Sequence, residues 1–177
     1  MALSEVILVC LTERPMSGYD LAKNFDASIG FFWRASHQQI YRELGSLRTK
    51  GYVESQEIAQ QGKPNRIVHT ITDDGRAALK TWSSKPPKQP SFKDELWVKF
   101  YALDGIDIDA FKEQISLRLE QHQNRLQTYH RIKTRFYDDR ELTLNQKGKL
   151  IALELGIASE EHNIKAMEGA LVKVAEV

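Results

Sequence analysis

Residues 36–52 read Ser36-His-Gln-Gln-Ile-Tyr-Arg-Glu-Leu-Gly-Ser-Leu-Arg-Thr-Lys-Gly51-Tyr52, a stretch that spells a helix marked at both ends. Ser36 and Gln39 stand in S-x-x-Q spacing, in which each side chain accepts a hydrogen bond from the other residue's backbone amide. At the far end Gly51 can take the left-handed conformation that closes a helix, which brings Tyr52 back towards Leu47. Ile40, Leu44 and Leu47 fall on one face at helical spacing. The other face carries Gln38, Arg42 and Ser46, with His37 and Gln39 beside them near the N-terminus. Gln and Arg are the side chains that make bidentate contacts with base edges in a major groove. An amphipathic helix with a merely solvated polar face would have the same pattern, so the flanking sequence has to decide.

Upstream, residues 2–13 predict a first helix with Leu3, Val6, Ile7, Cys10 and Leu11 on its apolar side, ending before Pro15. Met16 to Ala27 predict a second helix, opened by a Ser17–Asp20 variant of the capping box and packed through Tyr19, Leu21, Ala22 and Phe25. The aromatic run Phe31-Phe32-Trp33 leads into the 36–52 helix and suits the anchoring of a loop to a core. Downstream the period changes. Val53–Ala59 and Arg66–Thr72 are rich enough in β-branched residues to be strands, and the polar turn 60–65 between them carries Lys63, with Arg66 beside it. Thr72 then caps a helix running to Trp82, with Asp73 and Asp74 at its positive end.

Three helices, a hairpin and a further helix make the pattern of a winged helix-turn-helix, in which the third helix enters the major groove and the hairpin tip tracks the backbone. The polar face of the 36–52 helix supplies Ser36, His37, Gln38, Gln39, Tyr41 and Arg42 as candidate DNA contacts, and the wing adds Lys63 and Arg66. The order Pro15…Gly18-Tyr19…Trp33…Ser36-x-Gln38-x-Ile40-Tyr41-x-x-Leu44…Leu47…Gly51, then Gly62-Lys63-Pro64-x-Arg66 and Thr72-x-x-Gly75-Arg76…Leu79…Trp82, resembles the PadR family of bacterial transcriptional regulators over residues 2–85. The run Phe31-Phe-Trp-Arg-Ala-Ser-His-Gln-Gln-Ile-Tyr-Arg-Glu-Leu44 resembles the subgroup that includes a virulence-gene activator of Vibrio-type bacteria. The family often has Tyr at the position of His69, Pro at that of Arg42 and Glu at that of Arg48. The first difference bears on packing under the wing, and the other two add positive charge near the DNA face.

Composition is consistent with this. With 41% hydrophobic and 28% charged residues, the 177-residue chain is of globular type and long enough for a substantial core. No apolar run reaches the roughly 18 residues of a membrane span, and the apolar start lacks the basic region and cleavage site of a signal peptide. The lone Cys10 excludes an intrachain disulfide and fits a reducing cytoplasm; the resemblance implies a bacterial one, with the protein at the nucleoid when bound to DNA. Net charge is only +1, so nucleic-acid binding has to come from a local face. Residues 1–85 hold 11 Lys and Arg against 9 Asp and Glu (net +2), while residues 86–177 hold 14 against 15 (net −1).

The only Pro-dense tract, Ser84-Lys-Pro-Pro-Lys-Gln-Pro-Ser91, marks a semi-rigid connection. The expected organisation is therefore a mainly α chain with a small β-hairpin: a winged domain over 1–85, a Pro-rich linker over 86–91 and a helical domain over 92–177. In the last, Phe92–Leu103 predicts a short helix. A long helix follows over about 108–137 with Phe111, Ile115, Leu119, Leu126, Tyr129 and Phe136 along one stripe, interrupted by His122 and Lys133. Thr143 and Gln146 open a final helix in capping-box spacing. There Leu150, Ile157, Ile164 and Leu171 recur every seven residues, as do Leu153, Met167 and Val174, with Glu160 as the exception. This is a heptad seam. The resemblance implies that such helices dimerise the protein, and two-fold symmetry would let it read a pseudo-palindrome; packing within the chain is the other use of the same pattern.

Sites of chemistry are missing from the sequence. The five histidines are scattered, His122 and His130 are eight apart on one helix, and no ligand set for a metal, phosphate loop or nucleophile elbow occurs, so neither catalysis nor a cofactor is expected. Trp33, Trp97, Phe100 and Tyr101 are candidates for a pocket that takes a small hydrophobic or aromatic effector, although aromatic packing alone would use the same residues. The competing function is a winged-helix interaction module that works through its C-terminal helices without specific DNA binding. Gln38, Gln39, Arg42, Lys63 and Arg66 argue against it, since such a module needs no amides and cations on those faces.

Overall fold

The computed structural model describes residues 2–27, 33, 35–59, 65–87 and 93–177. The chain divides into two compact units, Met1–Pro90 and Ser91–Val177.

In the first unit α1 (Ala2–Leu11), α2 (Gly18–Ala27) and α3 (His37–Thr49) pack on a small sheet, followed by α4 (Asp73–Ser83). Ile7, Leu8 and Leu11 of α1, Leu21 and Phe25 of α2, and Ile40, Leu44 and Leu47 of α3 close one core with Met16, Val53 and Ile71 from the sheet. Cys10 is buried in it. The strands are β1 (Met16–Ser17), β2 (Val53–Ile58) and β3 (Arg66–Ile71), all antiparallel in the order β1-β3-β2. The hairpin register runs from Val53 opposite Ile71 to Ile58 opposite Arg66.

β1 corrects the sequence expectation, which ran the second helix from Met16. Ser17 Oγ accepts from the Asp20 amide at 3.2 Å, and the Ser17 amide donates to the Asp20 carboxylate at 3.1 Å. A residue that caps in this way is itself extended, so after Pro15 the pair Met16–Ser17 is free to join β3, opposite His69 and Val68. At the other end of the sheet, Thr72 Oγ1 accepts from the Gly75 amide at 3.1 Å to start α4 and donates to the Gly51 carbonyl at 2.7 Å. Gly75 has to be glycine, because a Cβ there would lie 2.3 Å from the Tyr52 carbonyl oxygen.

The second unit holds α5 (Glu95–Lys99), a 3-10 segment (Phe100–Gly105), α6 (Ile108–Phe136) and α7 (Leu144–Ala175). The single helix expected over Phe92–Leu103 is thus a short α-helix running into a 3-10 segment, with a break at Ala102 (φ −121°, ψ 24°); residue 92 itself lies outside the described residues. α6 and α7 form an antiparallel pair, tied at successive levels by His122 with Glu160 and by Lys133 Nζ on Glu154 at 2.8 Å. Thr143 and Gln146 make the expected capping box at the start of α7. Leu96, Phe111, Ile115, Met167 and Val174 form the core, with Phe100 edge-on to Phe111 at a centroid distance of 4.9 Å.

The heptad seam turns inward. Leu153, Ile157, Met167 and Val174 are buried within the unit, and Leu150, Ile164 and Leu171 are partly so. Its exception, Glu160, is buried as well: Arg125 Nε donates to the carboxylate at 2.9 Å and His122 closes on its other oxygen. A seven-residue repeat keeps one stripe of a helix on its neighbour, and the neighbour that a short connection supplies is α6. His122 belongs to the same inward face, so it fills a polar place in the α6 stripe instead of breaking it.

Candidate nucleic-acid interface

The geometry of α3 follows from its two ends. Ser36 is extended (ψ 155°), its Oγ accepts from the Gln39 amide at 3.2 Å, and its own amide donates to Gln39 Oε1 at 2.8 Å. At the C-terminus Gly51 has φ 73°, the Tyr52 amide donates to the Leu47 carbonyl at 3.0 Å and the Gly51 amide to the Arg48 carbonyl at 3.0 Å. That pair of bonds is the Schellman ending the sequence predicted. Ile40, Leu44 and Leu47 anchor the inner face, and His37, Gln38, Tyr41, Arg42, Gly45, Arg48 and Thr49 remain exposed. A helix fixed at both ends and bolted down by three apolar residues presents its outer side chains from a rigid base.

The candidate residues divide into two groups. His37, Gln38 and Arg42 point away from the core with no fixed role in the fold. Ser36 and Gln39 are exposed but serve the cap, which commits the Gln39 carbonyl oxygen to the protein itself. Tyr41, 52% exposed, lays its ring on the start of α2, where a Cβ on Gly18 would come 2.4 Å from Cε1. Arg66, in the last strand pair before the turn of the wing, pairs with Asp20 of α2. Burial pushes the Asp20 carboxyl up, but the Ser17 hydroxyl and amide and the Arg66 guanidinium outweigh it and hold the group below its ordinary value. Lys63 lies outside the described residues.

Beneath the wing, His69 is buried in β3 with Nδ1 2.9 Å from Ser55 Oγ. Burial first, and the Arg48 charge second, push its pKa down from the ordinary value. The candidate set omitted Gly45, Arg48 and Thr49. Helical spacing from Gln38 and Arg42 reaches Gly45 and Thr49 directly (i, i+4, i+7, i+11), so the signal was present in the period of the stretch itself.

The aromatic residues considered for an effector fall in different places. Trp33 belongs to the first unit; Trp97, Phe100 and Tyr101 belong to the second, where Phe100 packs on Phe111 and Tyr101 is 92% exposed. A cleft of about 260 Å³ in the second unit is lined by Asp94, Lys99, Gln114, Leu117 and Arg118 among others, and not by those aromatic side chains. There Arg118 grips Asp94 with two bonds of 2.7 and 3.2 Å. Among the described residues no group of three His, Cys, Asp or Glu is placed to hold a metal ion, and no helix is long and apolar enough to cross a membrane.

Three helices with a doubly capped polar third one, then a β-wing and a fourth helix, define a winged helix-turn-helix protein. The chain belongs to the PadR-like family of transcriptional regulators: residues 7–81 match the model described as "Transcriptional regulator PadR-like family", and residues 92–171 match "Virulence activator alpha C-term". A probable transcriptional regulator of Mycobacterium tuberculosis is 36% identical over 175 residues, which covers 93% of both chains. Among solved structures, the Vibrio cholerae virulence activator AphA is 30% identical with a TM-score of 0.81, covering 98% of each chain. Bacillus subtilis PadR in complex with operator DNA has a TM-score of 0.85 at 24% identity over 98% of this chain and 99% of that one, a likeness of fold. The same Bacillus protein is also known in complex with p-coumaric acid.

Proposed function

We propose that this regulator binds a pseudo-palindromic operator duplex as a homodimer, with α3 in the major groove and the wing on the adjacent backbone. The observation that carries the proposal is the presentation of Gln38 and Arg42, one helical turn apart on the outer face of a helix immobilised at both ends. Gln offers an adenine edge a donor and an acceptor together, and Arg offers a guanine edge two donors. Ser36, Gln39 and Tyr41 support the reading helix by capping and packing it, and Lys63 supplies a phosphate contact from the wing tip. Arg66 holds the start of β3 to α2 through Asp20, and this contact orients the wing.

Dimerisation is assigned to the outward side of α7. Leu144, Ile151 and Leu155 stand in one stripe (i, i+7, i+11) and are 88%, 59% and 68% exposed, whereas Leu153, Ile157, Met167 and Val174 are already covered within the unit. A homodimer carries two reading helices and suits an operator with half-sites about 10 or 20 base pairs apart. The work is done in the bacterial cytoplasm at the nucleoid. The exposed rings of Trp97 and Tyr101 favour an aromatic effector, tested by titrating tryptophan fluorescence with aromatic acids; an unchanged signal removes that part of the proposal.

Selection from a pool of random duplexes tests the main assignment. The expected product is a symmetric sequence bound by a dimer, and its affinity should fall steeply with salt. A pool that returns no enriched sequence overturns it.

A further inference from the structure

Glycine inside a helix destabilises it relative to alanine, so an exposed helical glycine invites the question of what it makes room for. Several glycines of the chain answer from within. Gly18 leaves space for the Tyr41 ring, Gly75 for the Tyr52 carbonyl, and Gly51 has φ 73°. Gly45 has none of these reasons. It sits in the middle of α3, its φ is not positive, and a Cβ built there meets nothing within 4 Å. Its place is particular: it continues the exposed line that starts at Gln38 and Arg42 and ends at Thr49. Thr49 Oγ1 is turned back onto the helix, donating to the Gly45 carbonyl at 3.0 Å, so beyond Arg42 this line has no polar side chain reaching outward. This line of α3 thus has two long reading side chains in its first half and only Gly45 and the folded-back Thr49 in its second, with Arg48 exposed beside it.

We infer that Gly45 is a close-approach position, which lets α3 seat deep enough in the major groove for Gln38 and Arg42 to reach base edges. The inference rests on the DNA-binding assignment and deepens it. A groove about 12 Å wide admits a helix of about 10–12 Å diameter with little room to spare, and a missing side chain on the inward line lets the helix sit deeper. Gly45 is then a specificity-determining residue that has no side chain to bond to a base. Gly148 and Gly169 of α7 are also helical glycines with open space around an added Cβ, and they lie on the outward side of α7 with Ile151, the side assigned to the second copy.

The test is Gly45→Ala in the full-length protein. The operator is first selected with the unsubstituted chain; then operator affinity, random-duplex affinity and Tm are measured for both proteins. Alanine should raise Tm by about 2–4 °C, because it favours the helix and meets no neighbour. Operator binding should weaken by roughly tenfold or more while random-duplex binding stays within about twofold, since the loss falls on base-edge contacts. A variant that is more stable and binds the operator as well as its parent overturns the inference. So does a lower Tm, which would give Gly45 a role inside the chain. If the unsubstituted chain enriches no operator, the DNA-binding assignment has failed, and that is seen before any variant is made.

Discussion

α3 and α7 begin alike and end up opposite. Each starts with a capping box, Ser36–Gln39 in one and Thr143–Gln146 in the other. α3 then buries only apolar side chains and shows polar ones, as an ordinary surface helix does. α7 buries a carboxylate, Glu160, and leaves Leu144, Ile151 and Leu155 outside. The difference fits the uses proposed for the two outer faces. A face that meets phosphates and base edges has to be polar and cationic, whereas leucines and isoleucines in line on a long helix suit a second protein surface. The inner faces differ for a related reason. α3 needs only an anchor, while a long two-helix pair needs a device that stops one helix sliding past the other by a turn, and a single buried polar position can do this.

The largest effect expected from this comparison lies at the polar position. Glu160→Ala leaves His122 and Arg125 beside a buried cavity and should destabilise the second unit by about 3–5 kcal/mol, while replacing both Glu160 and His122 by leucine should be close to neutral. Denaturant titration of the two variants separates a register device from a simple stabilising pair. Next, Ile151→Glu combined with Leu155→Glu should convert a dimer to a monomer in sedimentation while leaving the helical circular dichroism intact. If the dimer survives, the outward stripe has another use. Arg42→Ala should weaken operator binding by about 1–3 kcal/mol and leave random duplexes almost unaffected, whereas Lys63→Ala should weaken every duplex and lower the salt slope by about one; competition binding at several salt concentrations distinguishes them.

The smallest expected effect belongs to His69. Its folded pKa lies below the unfolded value of 6.5, so between the two the unfolded chain holds a proton that the folded chain refuses. Stability of the first unit is therefore full above pH 6.5 and declines as the pH falls through the folded value. Denaturant midpoints at pH 7.5 and 5.5 should diverge for the parent chain and converge for His69→Asn.

Much of the first unit was legible because its signals are local. Caps at Ser36, Thr72 and Gly51 and the apolar positions Ile40, Leu44 and Leu47 depend on neighbours within a turn or two, and the structure has them where the spacing puts them. The register of β2 on β3 follows from a short connection between two β-branched runs. β1 was missed because two residues carry no period. Even so, the Ser17–Asp20 capping box already required Ser17 to be extended.

What the sequence determined by itself was the larger elements, the caps of α3, α4 and α7 and the polar face of α3, since each rests on interactions closed within a short segment. Tertiary structure alone decided the direction of the α7 seam, because a heptad repeat states that a partner helix exists and not whether it is in the same chain. It alone decided that Glu160 is no flaw, since His122 and Arg125 are 38 and 35 residues away along the chain. And it alone paired Arg66 with Asp20 across 46 residues, giving a wing cation a structural partner that no local pattern could name.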